Sequence, residues 1–142
     1  MIVIDTSVWI SHLVVPDVHY AATNAWLDYI QTRQARFCVP SIFMAEVSGV
    51  LARIDAPDGF VAETIFQIDS SDQFVITPVT LGHAMRAADI ARIAKIRGSD
   101  AVFVALAAFL EVPLVSWDKQ QRERGALFCR TMTPVEAMEM AE

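Results

Sequence analysis

The sequence predicts an α/β domain built on a mostly parallel sheet of about five strands. Short apolar runs alternate with longer segments of helical period, the pattern of strands joined by helical crossovers. The first run, Ile2 to Ile4, has no polar face and reads as a strand buried on both sides. The 142 residues, 54% of them apolar, supply one well-filled core.

Taken in order, the first strand stops at Asp5, and two hydroxyl residues, Thr6 and Ser7, follow at once. Asp is a favoured N-cap, so the plain reading of Asp5 is the cap of a helix with Val8, Trp9 and Leu13 on its inner face. A helical stretch is expected near 18–32, then a strand at Arg36–Val39. Paired helices follow near 41–54 and 57–70. With Phe60, Ile65, Phe66 and Ile68 on short helices, this pair predicts an arm that packs on itself or on a second subunit. A third strand at Phe74–Thr77 leads to helices near 80–97 and 99–110. Gly98-Ser99 reads as the stop of one helix and the cap of the next. A fourth strand at Pro113–Ser116 and a weaker fifth at Leu127–Thr131 complete the sheet. Thr133-Pro134-Val135-Glu136 then opens a final helix with an N-cap, a proline at the first position and a capping-box glutamate. No linker, repeat or low-complexity tract interrupts residues 1–142, which predicts a single domain.

Several function classes are disfavoured. The longest apolar run, Ala101 to Leu110, has ten residues, short of the roughly 18 that suggest a membrane span. No basic stretch and apolar leader precede the first strand, which predicts a cytoplasmic protein. Cys38 and Cys129 stand in apolar stretches without partners at metal-ligand spacing and read as buried free thiols. No GxGxxG, P-loop or GxSxG motif occurs. A haloacid-dehalogenase-like site would need a second aspartate where Ser7 stands. His12, His19 and His83 show no metal-ligand spacing, and no role is assigned to them. Net charge is −6, but it is uneven: residues 1–85 carry −6 while residues 86–130 carry +3. That asymmetry fits a basic surface on an acidic protein as well as it fits ordinary solvated helices.

Four acids stand where a parallel sheet gathers its ligands, beyond the carboxyl ends of strands or in the helices that follow. They are Asp5, Glu46 within SIFMAEVSGVLARI, Asp100 within RGSDAVFVALA, and Asp118 within PLVSWDKQQRERG. Each has a bland alternative: a cap for Asp5, solvent or Arg53 for Glu46, a helix N-terminus for Asp100, a turn for Asp118. Together they point elsewhere. Two carboxylates 4 Å apart repel by about 4 kcal/mol at an effective dielectric of 20, so a cluster takes up protons or binds cations. Oxygen ligands alone favour Mg²⁺ or Mn²⁺ over zinc. Thr6, Ser7 and Ser116 add hydroxyls able to orient a carboxylate or a bound water. Such a centre suits phosphodiester hydrolysis.

At these residues the chain resembles the PIN-domain nucleases, and among them the VapC-type toxin ribonucleases of prokaryotic toxin-antitoxin pairs. IDTSVWI resembles the first acidic motif of that family, VPSIFMAEVSGVLAR the second, RGSDAVFVALA the third and LVSWDK the fourth, in order and nearly end to end. Ser116 stands where a threonine is frequent, followed by Trp117. The resemblance implies a three-layer α/β/α fold, RNA cleavage with Mg²⁺ or Mn²⁺, a homodimer and a small antitoxin partner. It makes Asp5, Glu46, Asp100 and Asp118 the metal-site acids. Arg97, Lys119 and Arg122 flank two of those acids and are candidate contacts to RNA phosphates. Two other readings stay open: a catalytically silent RNA-binding or interaction module of the same fold, and an RNA-processing nuclease without an antitoxin.

Overall fold

The computed structural model describes residues 1–140. Five strands form one sheet: β1 (Ile2–Ile4), β2 (Phe37–Pro40), β3 (Phe74–Thr77), β4 (Leu114–Val115) and β5 (Thr131–Met132). Their order is β3-β2-β1-β4-β5 and every neighbouring pair is parallel. β1 sits in the middle, with Ile2 opposite Phe37 on one side and Val3 opposite Leu114 on the other. Val3, Ile4, Phe37, Val39, Leu114 and Val115 are fully buried, as expected of parallel strands covered on both faces. The helices complete a three-layer α/β/α arrangement. They are α1 (Thr6–Leu13), α2 (Tyr20–Thr32), α3 (Ile42–Arg53), α4 (Asp58–Ser70), α5 (Leu81–Ala94), α6 (Gly98–Leu110), α7 (Lys119–Gly125) and α8 (Pro134–Glu139).

The sheet's centre is set by α6, whose apolar residues run almost all round it. Ala101 and Phe103 through Ala107 are buried, and the helix lies on β1, β2 and β4 with α5 packed against its other side. α7 is held close to it by Gly125: a Cβ there would sit 3.0 Å from Val104 Cγ2. α8 opens as the sequence predicts, with Thr133 Oγ1 accepting from the Glu136 amide and Glu136 accepting from the Thr133 amide.

Three boundaries differ from those the sequence suggests. α5 ends at Ala94, where Lys95 turns into the left-handed region (φ 54), and Arg97 is the N-cap of α6 with an extended backbone. Gly98 and Ser99 are therefore already helical rather than stop and cap. The fifth strand lies at Thr131–Met132 because Leu127, apolar but exposed, belongs to the turn after α7. α7 itself has no apolar period in KQQRERG, so hydrophobic patterning does not mark it. It is fixed instead by the cap from Asp118 and the contact at Gly125. Cys38 is buried and Cys129 only partly so, both as free thiols. Burial raises the Cys129 thiol to about 11. No helix among the described residues is long and apolar enough to cross a membrane.

Candidate active site

The strand order creates a reversal beside β1. From β1 the chain moves outward to β2 and β3, and then crosses to β4 and β5 on the other side. Connections leaving the carboxyl ends of β1 and β4 therefore part in opposite directions and open a crevice there. Asp5 directly follows β1, and Ser116, Trp117 and Asp118 directly follow β4. Glu46 comes from the second turn of α3 and Asp100 from the first turn of α6. All four acids line one cavity of about 740 Å³, together with Thr6, Ser7, Asp17, His19, Arg53, Arg97, Ser99 and Trp117 among others.

Each carboxylate has a defined partner. Asp5 is buried and caps α1, with Oδ2 accepting from the Ser7 amide at 2.9 Å and Oδ1 from Gln121 Nε2 at 3.3 Å. The capping role and a place in the cavity thus coincide. Glu46 Oε2 accepts from the Thr6 hydroxyl at 2.6 Å. Asp100 Oδ2 accepts from Arg97 Nε at 3.0 Å, and Asp118 Oδ2 lies 3.5 Å from Arg97 Nη2. Asp118 Oδ1 caps α7 by accepting from the Gln121 amide at 2.9 Å.

The hydroxyls divide their work. Thr6 meets a carboxylate, whereas Ser7 and Ser116 shape the turn that carries Asp118. Ser7 Oγ accepts from the Trp117 amide at 3.1 Å, and Ser116 Oγ from the Asp118 amide at 3.0 Å.

Burial sets the electrostatics. It pushes the Glu46 carboxyl above its ordinary 4.5; the Thr6 bond opposes this, while the charges of Asp5 and Asp100 add to it. Burial likewise raises Asp100 above 3.8; Arg97 opposes this, while Asp5 and Asp118 add to it. The cluster is thus a region of excess negative charge in which one guanidinium already sits between two acids. A divalent cation with oxygen ligands fits that donor set. As they stand, no three His, Cys, Asp or Glu side chains among the described residues are grouped tightly enough to cage an ion. The carboxylates are turned to Arg97, Thr6, Ser7 and Gln121 instead.

The three basic residues expected near RNA part company. Arg97 lines the cavity with a largely exposed side chain. Lys119 pairs with Glu123 at 3.6 Å. Arg122 turns inward, donating from Nη1 to the Ser116 carbonyl at 2.9 Å. Glu46 does not pair with Arg53 among the described ion pairs.

Two features escape the sequence reading. Gln121 is fully buried and touches three of the four acidic residues: its backbone amide donates to the capping Asp118 Oδ1, while its side chain donates to Asp5 and to the Asp100 carbonyl at 3.3 Å. Its Oε1 has no partner. In sequence it hides in a charged run that looks like solvated surface. His19 and Trp117 stack on the cavity wall, with centroids 3.8 Å apart and planes 6° from parallel. The only sequence sign of this pair is the tryptophan next to Asp118.

The PIN domain profile matches residues 2–127. No curated protein matches the chain by sequence. Among solved structures, FitAcB from Neisseria gonorrhoeae superposes with a TM-score of 0.72 at 20% identity, covering 94% of this chain and 98% of its own. VapC20 from Mycobacterium tuberculosis, described as a sarcin-ricin loop cleaving toxin, gives a TM-score of 0.75 at 16% identity, covering 88% and 95%. A toxin-antitoxin complex from Klebsiella pneumoniae gives 0.68 at 15% identity, covering 94% and 98%. At these identities the likeness is one of fold.

Proposed function

The chain belongs to the PIN domain family, and from that premise we propose that it is a metal-dependent endoribonuclease, the toxin of a VapBC-type toxin-antitoxin pair. The observation that carries the reading is the meeting of four carboxylates at one crevice, two of them raised by burial and by like charge. Asp5, Glu46, Asp100 and Asp118 would hold Mg²⁺ or Mn²⁺. Bound there, the ion supplies acidity to a water and stabilises charge on a phosphodiester.

The chain's own residues do the rest. Gln121 restrains Asp5 and the Asp118 turn, so that two acids from distant parts of the chain keep one spacing. Thr6 orients Glu46 by donating to its Oε2. Arg97 neutralises Asp100 and Asp118 in the free protein, and its exposed guanidinium is placed to transfer to an RNA phosphate. Lys119, exposed on α7 next to Asp118 and paired with Glu123, is a candidate phosphate contact, and Arg122 supports the turn before Asp118.

The toxin-antitoxin complex among the solved structures of the same fold supports a small antitoxin as partner. A homodimer through α3 and α4 is supported by Ile54, Phe60 and Phe66, which are exposed there.

RNA cleavage assayed with Mg²⁺, with Mn²⁺ and with chelator tests the proposal. Cleavage that requires either ion and disappears in Asp5→Asn and Asp100→Asn is expected. Wild-type cleavage surviving exhaustive chelation, or no cleavage under any condition, would leave a silent module as the better reading. Co-expression with the product of any small neighbouring reading frame tests the antitoxin, and light scattering at micromolar concentration tests the dimer.

A further inference from the structure

We propose that His19 and Trp117 form a stacking platform for a nucleobase of the RNA beside the phosphate being cleaved. The inference rests on the ribonuclease reading and names how that site holds its substrate. Trp117 immediately precedes Asp118, so its ring keeps a fixed place relative to the fourth acid. It is also immobilised: its amide donates to Ser7 Oγ, and its Nε1 donates to Thr23 Oγ1 at 2.8 Å. Thr23 Oγ1 is itself 2.7 Å from Ser11 Oγ, which donates to the Val8 carbonyl at 2.8 Å. With its polar atoms engaged and its ring packed against the core, Trp117 is a rigid backing for the ring stacked on it.

One face carries His19, parallel and in contact. The His19 backbone is pinned in turn by Asp17, whose Oδ1 accepts from its amide at 2.8 Å. The three histidines differ in what their rings do. His12 Nδ1 is 2.8 Å from Asn24 Oδ1, and His83 Nε2 is 2.9 Å from the Val102 carbonyl. The ring nitrogens of His19 make no hydrogen bond among the described residues, and the ring lines the same cavity as the four acids. An aromatic pair with a free polar edge, next to a site for phosphates, has the chemistry that takes up an unpaired base: stacking on the ring and hydrogen bonding at its edge. The cavity, at about 740 Å³, lies within the range that admits a small ligand or a nucleotide.

The test is binding of a fluorescein-labelled eight-residue oligoriboadenylate, measured by anisotropy in chelator so that nothing is cleaved. A second probe of the same length and charge carries abasic spacers at every position. Wild type, His19→Ala and His19→Phe are compared on both, with melting temperatures recorded. His19→Ala is expected to weaken oligoriboadenylate binding by roughly 10-fold, within the loss typical for one stacked base. His19→Phe, which stacks but has no ring nitrogens, should recover most of it, and the abasic probe should bind wild type and His19→Ala alike. In metal-dependent cleavage the alanine variant should raise KM and leave kcat close to wild type.

Equal binding of oligoriboadenylate by wild type and His19→Ala would overturn the platform. So would a phenylalanine variant no better than alanine, or an equal loss on the abasic probe, which would make His19 a phosphate contact. If the wild type cleaves RNA while binding is indifferent to His19, only the platform falls. If base-dependent binding follows the expected pattern without any cleavage, the platform stands and the nuclease reading falls. If the wild type neither binds nor cleaves RNA, both fall together.

Discussion

Replacing Gln121 with leucine separates positioning from mere support. The wild-type amide cannot be turned over, because Oε1 would then face Asp5 Oδ1 and the Asp100 carbonyl, two acceptors. Leucine removes both donated bonds, one of them to a carboxylate; as each is long at 3.3 Å, the net cost is about 2–3 kcal/mol, the low end for such a pair. It also removes the unpartnered Oε1, whose burial costs about 1–3 kcal/mol. The two changes nearly cancel, so in chelator the melting temperature should stay within about 4 °C of wild type. The consequence for the cluster is larger. Asp5 keeps its bond from the Ser7 amide but loses the one group that ties it to α6 and α7. Loss of such a supporting partner typically lowers metal affinity or activity by about 10- to 100-fold. Mn²⁺ titration by calorimetry, cleavage rates, and melting with and without Mn²⁺ read the three quantities. A variant that melts some 10 °C lower while binding Mn²⁺ as tightly as wild type would refute the reasoning and make Gln121 a packing residue.

Asp5→Asn and Asp100→Asn should each lower cleavage by at least about 100-fold. Both should fold, because asparagine caps a helix about as well as aspartate and Asp100→Asn relieves a buried charge; circular dichroism and melting check this. Stability without metal should depend on pH through Glu46. Its carboxyl is raised in the folded protein, so its favourable contribution is full below the ordinary 4.5 and is lost as pH rises through the raised value. Glu46→Gln should therefore gain in melting temperature relative to wild type as pH rises from 4 to 8 in chelator; a difference that shrinks over that range contradicts the assigned shift. Thr133→Ala removes the cap of α8, a residue that does not line the cavity, and should cost about 1 kcal/mol with cleavage rates unchanged at temperatures where the variant is folded.

The strands were legible wherever they are buried on both faces, since runs such as Ile2 to Ile4 have no other sensible use. The acids were legible as residues at strand ends and helix starts, which is where the structure finds them around the crevice. What the sequence could not convey is what only tertiary contact decides. α7 has no apolar stripe, so its helicity depends on the Asp118 cap and the room left by Gly125. Gln121 is polar among charged neighbours yet fully buried, because a short helix end is pressed onto α6. His19 has no metal-ligand spacing, and its partner is a tryptophan 98 positions later in the chain. Ser99 lies inside α6 and does not cap it, because α5 already ends at Lys95, which accepts a left-handed backbone that a glycine more often takes.

The strand order has a bearing on synthesis. Because the crevice lies where the chain reverses beside β1, its walls come from distant parts of the chain: Asp5 is made first, and Asp118 and Gln121 follow more than a hundred residues later. At the usual pace of elongation the interval is about 6–20 s, and the ribosome tunnel delays the last pieces further. A nascent chain emerging with β1, β2 and β3 has Asp5 and Glu46 but lacks the strand that opens the crevice. The four-acid cluster proposed for this protein is then complete only once Asp118 has been made, so a polypeptide abandoned before that point would lack it.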